Sequence, residues 1–387
     1  MKPRKEKILS WKKENQTSPS FQSFLKAMSR SSIVINGKSF THDQIITNSF
    51  DAATAFESTT LSFCHQWLSG REHFTLQTSG STGAPKEITF SREQMIASAK
   101  MTQAALHLKA GDNALICLDT KYIAGQMMLV RSFVIGMNII AVEPSANPLD
   151  KIKEEQKIDF TALVPYQLQN ILSNNQLQLN NIRVAIIGGA PVDPSLQKQL
   201  QEITCNVYAT YGMTETLSHV GLMKLNGAAL ENYFTVLPGV TVEKDGRGCL
   251  VIHTAFLEEA VVTNDLVEII NPDQFKWLGR WDNVINTGGV KVIPEKIENQ
   301  LNDLLKTYGI TGRYFVFGLP DTQLGQKVCL VIENTPLKSN MLRGLQTEIK
   351  STLSKYEVPK EIKFLERFEE TETGKVNRLK TINLFPA

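Results

Sequence analysis

The stretch TSGSTGAPKEITF, Thr78 to Phe90, sets two glycines and four hydroxyl residues ahead of a lysine. Glycines let the backbone approach an anion closely, hydroxyls and exposed N–H groups donate to phosphate oxygens, and Lys86 adds a point charge. These residues therefore suit the holding of a phosphate. Gly80 and Lys86 have the spacing of a Walker A loop, but Pro85 precedes the lysine and Glu87 follows it, where that motif needs Gly and Ser or Thr. The residues after the lysine also alternate as a strand instead of opening a helix. A Walker-type loop is excluded, leaving a phosphate loop of another kind or a plain Gly/Ser hairpin.

Further stretches carry chemistry-bearing side chains. YATYGMTETLSH, Tyr208 to His219, puts an aromatic, a glycine and Glu215 in one turn, and TNDLVEI offers Asp265 just before a strand. GRWDNVINTGGVKVIPEKIE carries Arg280, Asp282, a glycine pair and Glu295, and TETGKVNR carries Lys375 close to the last residue. Taken singly, each is also an ordinary turn or a solvated charge. Their order and spacing together are not.

The elements that must position these residues are legible from periodicity. REQMIASAKMTQAAL has helical spacing and NALICLD the look of a buried strand, and the alternation returns in LVRSFVIGMNIIAV, FTALVPYQLQNILSN and NIRVAIIGGAPVDPSLQKQLQ. Strand and helix in alternation predict an α/β layer architecture. In VAIIGGAP an apolar strand runs into Gly188, Gly189, Ala190 and Pro191, with Asp193 or Ser195 as the cap of the next helix. Ligands gather beyond the carboxyl ends of such strands, so this turn is a pocket wall or simply a tight turn. Residues 235–270 read as a small β subdomain. After a boundary at Arg280 to Asn283 come a helix (294–305), strands (314–318 and 327–333), a helix (339–355) and a strand (362–365), an α+β unit of small-domain size.

Length and composition bound the reading. With 387 residues the chain exceeds one ordinary core, so two domains are expected. A net charge of +2 and the absence of a basic stripe with interleaved aromatics argue against nucleic acid and for a small-molecule partner. The five scattered cysteines suggest neither a zinc site nor a complete disulfide set, which fits a reducing, cytoplasmic compartment. The basic N-terminus has no apolar segment behind it, so it reads as a solvated helix or arm rather than a secretory signal. The longest apolar stretch, Met127 to Val142, is interrupted by Arg131 and Ser132 and is too short for a membrane span.

From about Phe74 to Arg378 the motifs resemble those of the acyl-adenylate-forming superfamily, which includes acyl-CoA synthetases, firefly-type luciferases and peptide-synthetase adenylation domains. The resemblance implies a large domain, residues 1–280, of layered α/β sheets with a small β subdomain and a shortened N-terminal subdomain. It also implies a small mobile α+β domain, residues 281–387, with its hinge near Asp282. It implies that Thr78, Ser79, Gly80, Ser81, Thr82, Gly83 and Lys86 hold the ATP phosphates, and that Gly188, Gly189, Ala190, Pro191, Tyr211, Gly212 and Met213 line the adenine site. By the same resemblance Asp265 and Arg280 take the ribose, Thr214, Glu215 and Lys86 serve catalysis with Glu215 on Mg2+, Lys375 is the adenylation lysine, and Gly288 and Gly289 face the coenzyme A tunnel. A carboxylate attacking the α-phosphorus brings two anions together, so charge neutralisation and in-line geometry are what such a site must supply.

Within the superfamily the compact length and YGMTETLSH look most like the o-succinylbenzoate-CoA ligase branch of menaquinone biosynthesis. That implies a carboxylic acid, ATP and coenzyme A as partners, with neither nucleic acid nor membrane, in a monomer or homodimer. A substrate with two carboxylates needs a second cation, and Arg131 is either that cation or a helix-end arginine paired with an acid. His219 is an acyl-pocket residue or a structural histidine. Tyr122 and Gly212 complete the implied acyl pocket, Tyr122 standing where the superfamily more often has His. The competing readings are another aryl or short-chain acyl-CoA ligase, an enzyme that loads a carrier protein, and an inactive regulator that binds an acyl-adenylate. The intact TGK around Lys375 argues against the last.

Overall fold

The computed structural model describes residues 32–77, 87–228, 230–370 and 376–385, with every side chain among them except those of Pro194 and Ser195. The basic N-terminus, the residues Thr78 to Lys86 expected to hold phosphate and the expected adenylation lysine Lys375 lie outside the described residues. Contacts divide the chain into two compact units, the described residues of 32–231 in one and those of 232–385 in the other.

The first unit is built on strands β1 (Ser32–Ile35), β2 (Lys38–Thr41), β5 (Asn113–Ile116), β6 (Asn138–Ala141), β7 (Ile158–Leu163), β8 (Ile182–Ile187), β9 (Asn206–Gly212) and β10 (His219–Lys224). They run side by side in the order β10-β9-β8-β7-β5-β6-β1-β2. From β9 to β1 every neighbour is parallel, whereas β10 pairs antiparallel with β9 and β2 antiparallel with β1. Buried parallel strands need apolar residues on both faces, and Ala114, Leu115 and Ile116 are all 0% exposed. Apart from this sheet, β3 (His73–Gln77) and β4 (Glu87–Ser91) pair antiparallel on either side of residues 78–86 in the sequence.

The helices of this unit are α1 (His42–Ile46), α2 (Ala55–Leu68), α3 (Arg92–Leu106), α4 (Ile123–Ile135), α5 (Pro165–Asn175) and α6 (Pro194–Gln199). A capping box starts α3: Ser91 Oγ accepts from the Gln94 N–H, and the Gln94 side chain accepts from the Ser91 N–H. Gly136, at φ +80°, stops α4 in a left-handed cap. The apolar stretch Met127 to Val142 is thereby divided into a buried helix and β6. Because α6 begins at Pro194, Asp193 stands at its cap position and Ser195 lies inside it, correcting the alternative that made Ser195 the cap.

In the second unit β11 (Phe234–Val236), β12 (Val240–Lys244), β13 (Cys249–Thr254), β14 (Val261–Asn271) and β15 (Gln274–Arg280) form an antiparallel sheet in the order β12-β13-β14-β15-β11. This is the β subdomain expected from residues 235–270. A second sheet comprises β16 (Ile285–Thr287), β17 (Val290–Val292), β18 (Tyr314–Asp321), β19 (Gly325–Glu333) and β20 (Glu361–Leu365). Alternate residues of β19 serve two cores: Val328, Leu330 and Ile332 pack with helices α7 (Pro294–Thr307) and α8 (Ser339–Thr352), whereas Cys329 and Val331 pack with Phe315 and Phe368. A short helix, α9 (Arg378–Ile382), follows. The helix expected to reach residue 355 ends at Thr352, because Leu353 is already extended.

Candidate active site

In the first unit the carboxyl ends of three parallel strands gather most of the residues implied for the adenine and acyl sites. Tyr122 lies beyond β5, Gly188 to Pro191 beyond β8, and Gly212 to Glu215 at and beyond β9. Gly188 has no room for a side chain, since a Cβ would stand 2.7 Å from Thr210 Oγ1. At Gly212 a Cβ would lie 2.4 Å from both His219 Cα and the Ser218 carbonyl oxygen, so β9 and β10 meet here only through a glycine.

The segment between β9 and β10 is tightly wound. Thr214–Thr216 make one 3-10 turn that leaves Glu215 exposed, and Thr216 Oγ1 accepts from the Met213 N–H at 3.0 Å and donates to the Ser218 carbonyl at 2.8 Å. Leu217 sits at φ 65°, ψ −41°, and the Ser218 N–H donates to the Thr216 carbonyl at 2.7 Å. That is a γ-turn in its rarer, strained form, costing roughly 1–3 kcal/mol. The completely buried Leu217 side chain helps hold it. The turn delivers Ser218 and His219 together to one buried guanidinium.

That guanidinium is Arg131, 2% exposed on α4. Its Nε donates to Thr102 Oγ1 at 3.2 Å, and its Nη2 donates to Ser218 Oγ at 2.6 Å and to His219 Nδ1 at 3.3 Å. Since Nδ1 accepts, the histidine proton belongs on Nε2, which donates to Thr102 Oγ1 at 3.2 Å. Burial, and then the neighbouring Arg131 charge, hold His219 well below the usual imidazole range, so it is neutral. Burial draws Arg131 down to about 9, which leaves it a cation at neutral pH. Among the described residues no carboxylate pairs with it: all its hydrogen-bond partners are neutral. The alternative of an arginine paired with an acid is thereby corrected. Tyr122, in contrast, is 56% exposed at the N-cap of α4, beside Lys121, whose Nζ lies 5.7 Å from its ring centre.

In the second unit the residues implied for the ribose are neighbours by register. Asp265 on β14 faces Arg280 on β15, their charged groups 3.6 Å apart, and Trp277 Nε1 donates to Asp265 Oδ1 at 3.2 Å. Arg280 also donates to Asp282 at 2.9 Å, and Asn264 donates to both oxygens of that carboxylate. Gly288 and Gly289, at φ +58° and +80°, form the two-residue loop between β16 and β17. Positive φ at both positions of such a hairpin accounts for the glycine pair by itself.

Burial pushes the thiols away from reactivity: all five cysteines are free and buried, with Cys117 and Cys205 each raised to about 12. Among the described residues there is no cluster of His, Cys, Asp and Glu able to hold a metal, and no helix long and apolar enough to cross a membrane. Sequence reasoning missed Thr102 and Ser218. Ser218 is adjacent to a residue it did single out, whereas Thr102 has no local signal.

The profile of the family described as AMP-binding enzyme matches residues 27–244. The crystal structure of an acyl-CoA synthetase (AMP-forming)/AMP-acid ligase II-like protein from Dyadobacter fermentans is 41% identical, with a TM-score of 0.59 over 87% of this chain and 97% of that one. The 2-succinylbenzoate–CoA ligase of Lactococcus lactis is 25% identical over 78% of this chain and 69% of its own length. The o-succinylbenzoate coenzyme A synthetase of Bacillus subtilis, solved with ATP and magnesium, is 21% identical with a TM-score of 0.64, covering 80% of this chain and 69% of that one.

Proposed function

The chain belongs to the AMP-binding enzyme family and is an acid-thiol ligase within it, and on that premise we propose that its acid is o-succinylbenzoate. The reaction runs in two steps: the carboxylate attacks the α-phosphorus of ATP to give an acyl-adenylate and pyrophosphate, and the coenzyme A thiol then displaces AMP to give the thioester. The observation that carries the choice of acid is Arg131, a fully buried cation surrounded by neutral partners. Leaving such a charge without a counter-ion costs several kcal/mol, and the carboxylate of the substrate that is not activated supplies one. The neutral imidazole of His219 and the hydroxyls of Thr102 and Ser218 fix the guanidinium without cancelling its charge.

The other roles follow the same reading. Thr78, Ser79, Gly80, Ser81, Thr82, Gly83 and Lys86 steady the leaving pyrophosphate, and Lys375 bridges the substrate carboxylate and the α-phosphate, where its charge is worth most in the transition state. An exposed carboxylate is the donor that Mg2+ prefers alongside phosphate oxygens, so Glu215, with Thr214 beside it, holds the ion there. Gly188, Gly189, Ala190, Pro191, Tyr211 and Met213 enclose the adenine, and Asp265 and Arg280 take the ribose hydroxyls. Residues 281–387 act as a small mobile domain turning at Asp282 between the two steps, and Gly288 and Gly289 leave room for the thin pantetheine chain. Tyr122 and Gly212 border the acid. Pyrophosphate release across a panel of acids tests the assignment: turnover confined to o-succinylbenzoate supports it, and equal turnover with simple monocarboxylic acids removes it.

A further inference from the structure

A cavity of about 310 Å³ opens in the first unit between α2, β3 and the loop that follows β5. That volume is within the range of small-ligand sites. Two cations, Arg71 and Lys121, stand on its wall, together with the hydroxyls of Ser58, Thr59, Ser62 and Thr75, and no Asp or Glu lines it. Neither cation forms an ion pair among the described residues.

Arg71 is held in place by neutral groups. Its Nε donates to the His73 carbonyl at 2.7 Å, its Nη1 donates to the Gln66 side chain, and the guanidinium lies 5.6 Å from the centre of the Phe74 ring. Phe63 and Phe74 are buried beneath the polar wall, their ring centres 5.4 Å apart and their planes tilted by 44°, giving it a firm floor. Positioned cations with a surplus of hydroxyls and no acid suit an anion with several oxygens and more than one charge, which is a phosphate better than a single carboxylate. The phosphates of ATP are already assigned to residues 78–86, and the second carboxylate of the acid to Arg131. Coenzyme A is the remaining substrate that carries phosphate.

We propose that this cavity receives a phosphate group of coenzyme A, with Arg71 and Lys121 as its counter-ions. The proposal rests on the acid-thiol ligase reading. The phosphate that fills the cavity belongs to the coenzyme and not to released pyrophosphate.

The test is equilibrium binding by calorimetry on the full chain, with coenzyme A, pantetheine and inorganic pyrophosphate as separate probes. Both side chains are exposed, so Arg71→Gln, Lys121→Gln and the double variant keep the fold. Loss of two charge-assisted contacts raises the Kd for coenzyme A at least about tenfold in the double variant and leaves the Kd for pantetheine unchanged. An unchanged Kd for coenzyme A in a variant whose wild type binds it overturns the proposal alone. So does a double variant that loses affinity for pyrophosphate but not for coenzyme A. A wild-type chain that binds no coenzyme A overturns both the proposal and the reading beneath it.

Discussion

Replacing Arg131 with methionine separates a cation kept for substrate from one kept for the fold. Breaking a buried acid–arginine pair by removing one partner usually costs 3–5 kcal/mol, because the other charge is stranded. Among the described residues Arg131 strands no charge: its partners Thr102, Ser218 and His219 are neutral, and Thr102 and His219 retain their bond to each other at 3.2 Å. Three hydrogen bonds to a charged group are lost, worth about 1.5–3 kcal/mol each, while a desolvation penalty of several kcal/mol is relieved. The two nearly offset, so the free variant should stay within about 2 kcal/mol of wild type in urea denaturation. Catalysis behaves differently. A desolvated guanidinium–carboxylate pair is worth about 3 kcal/mol, so kcat/KM for o-succinylbenzoate should fall ~150-fold. For an aromatic acid without the second carboxylate the same substitution should change kcat/KM by no more than about threefold. Pyrophosphate release measured with both acids reads the difference. Equal losses on the two acids, or a stability loss of about 3–5 kcal/mol, would refute the reasoning.

Three further outcomes follow from named contacts. His219 has a folded-state pKa below its ordinary value, so the native state binds fewer protons than the unfolded chain: the stability it contributes is complete above about pH 6.5 and is lost below it, by up to about 1.4 kcal/mol per pH unit. Urea midpoints at pH 7.5, 6.5 and 5.5 should fall less steeply in His219→Gln, and identical slopes would contradict a neutral buried imidazole. Gly212→Ala places a Cβ 2.4 Å from main-chain atoms of Ser218 and His219 and should cost about 2–3 kcal/mol, whereas Gly246→Ala, with nothing within 4 Å, should be nearly silent in the same thermal melts. Lys375→Ala should abolish adenylate formation while sparing thioester formation from supplied acyl-adenylate; parallel loss of both half-reactions would remove the role given to this lysine.

The α/β alternation was readable because buried parallel strands must be apolar, and runs such as Ala114 to Ile116 have no other use on a surface. The β14–β15 ladder was readable in part: Asp265 and Arg280 carry the motif, but their pairing depends on a register that bulges shift twice. The surroundings of Arg131 were not readable. Its partners lie 29, 87 and 88 residues away, and only the packing of α3 on α4 and the strained turn at Leu217 bring them together. Nothing in local composition says whether a lone arginine in an apolar helix meets an acid or a hydroxyl. The cavity of Arg71 and Lys121 escaped notice for a similar reason, since its walls come from three segments separated in the sequence.

The most direct test is to incubate the protein with ATP, Mg2+, coenzyme A and o-succinylbenzoate and to identify the acyl product by mass spectrometry while counting AMP and pyrophosphate. The account predicts the o-succinylbenzoyl thioester of coenzyme A in one-to-one ratio with both. A thioester formed as readily from simple aromatic acids, or AMP released with no thioester of the diacid, would contradict it.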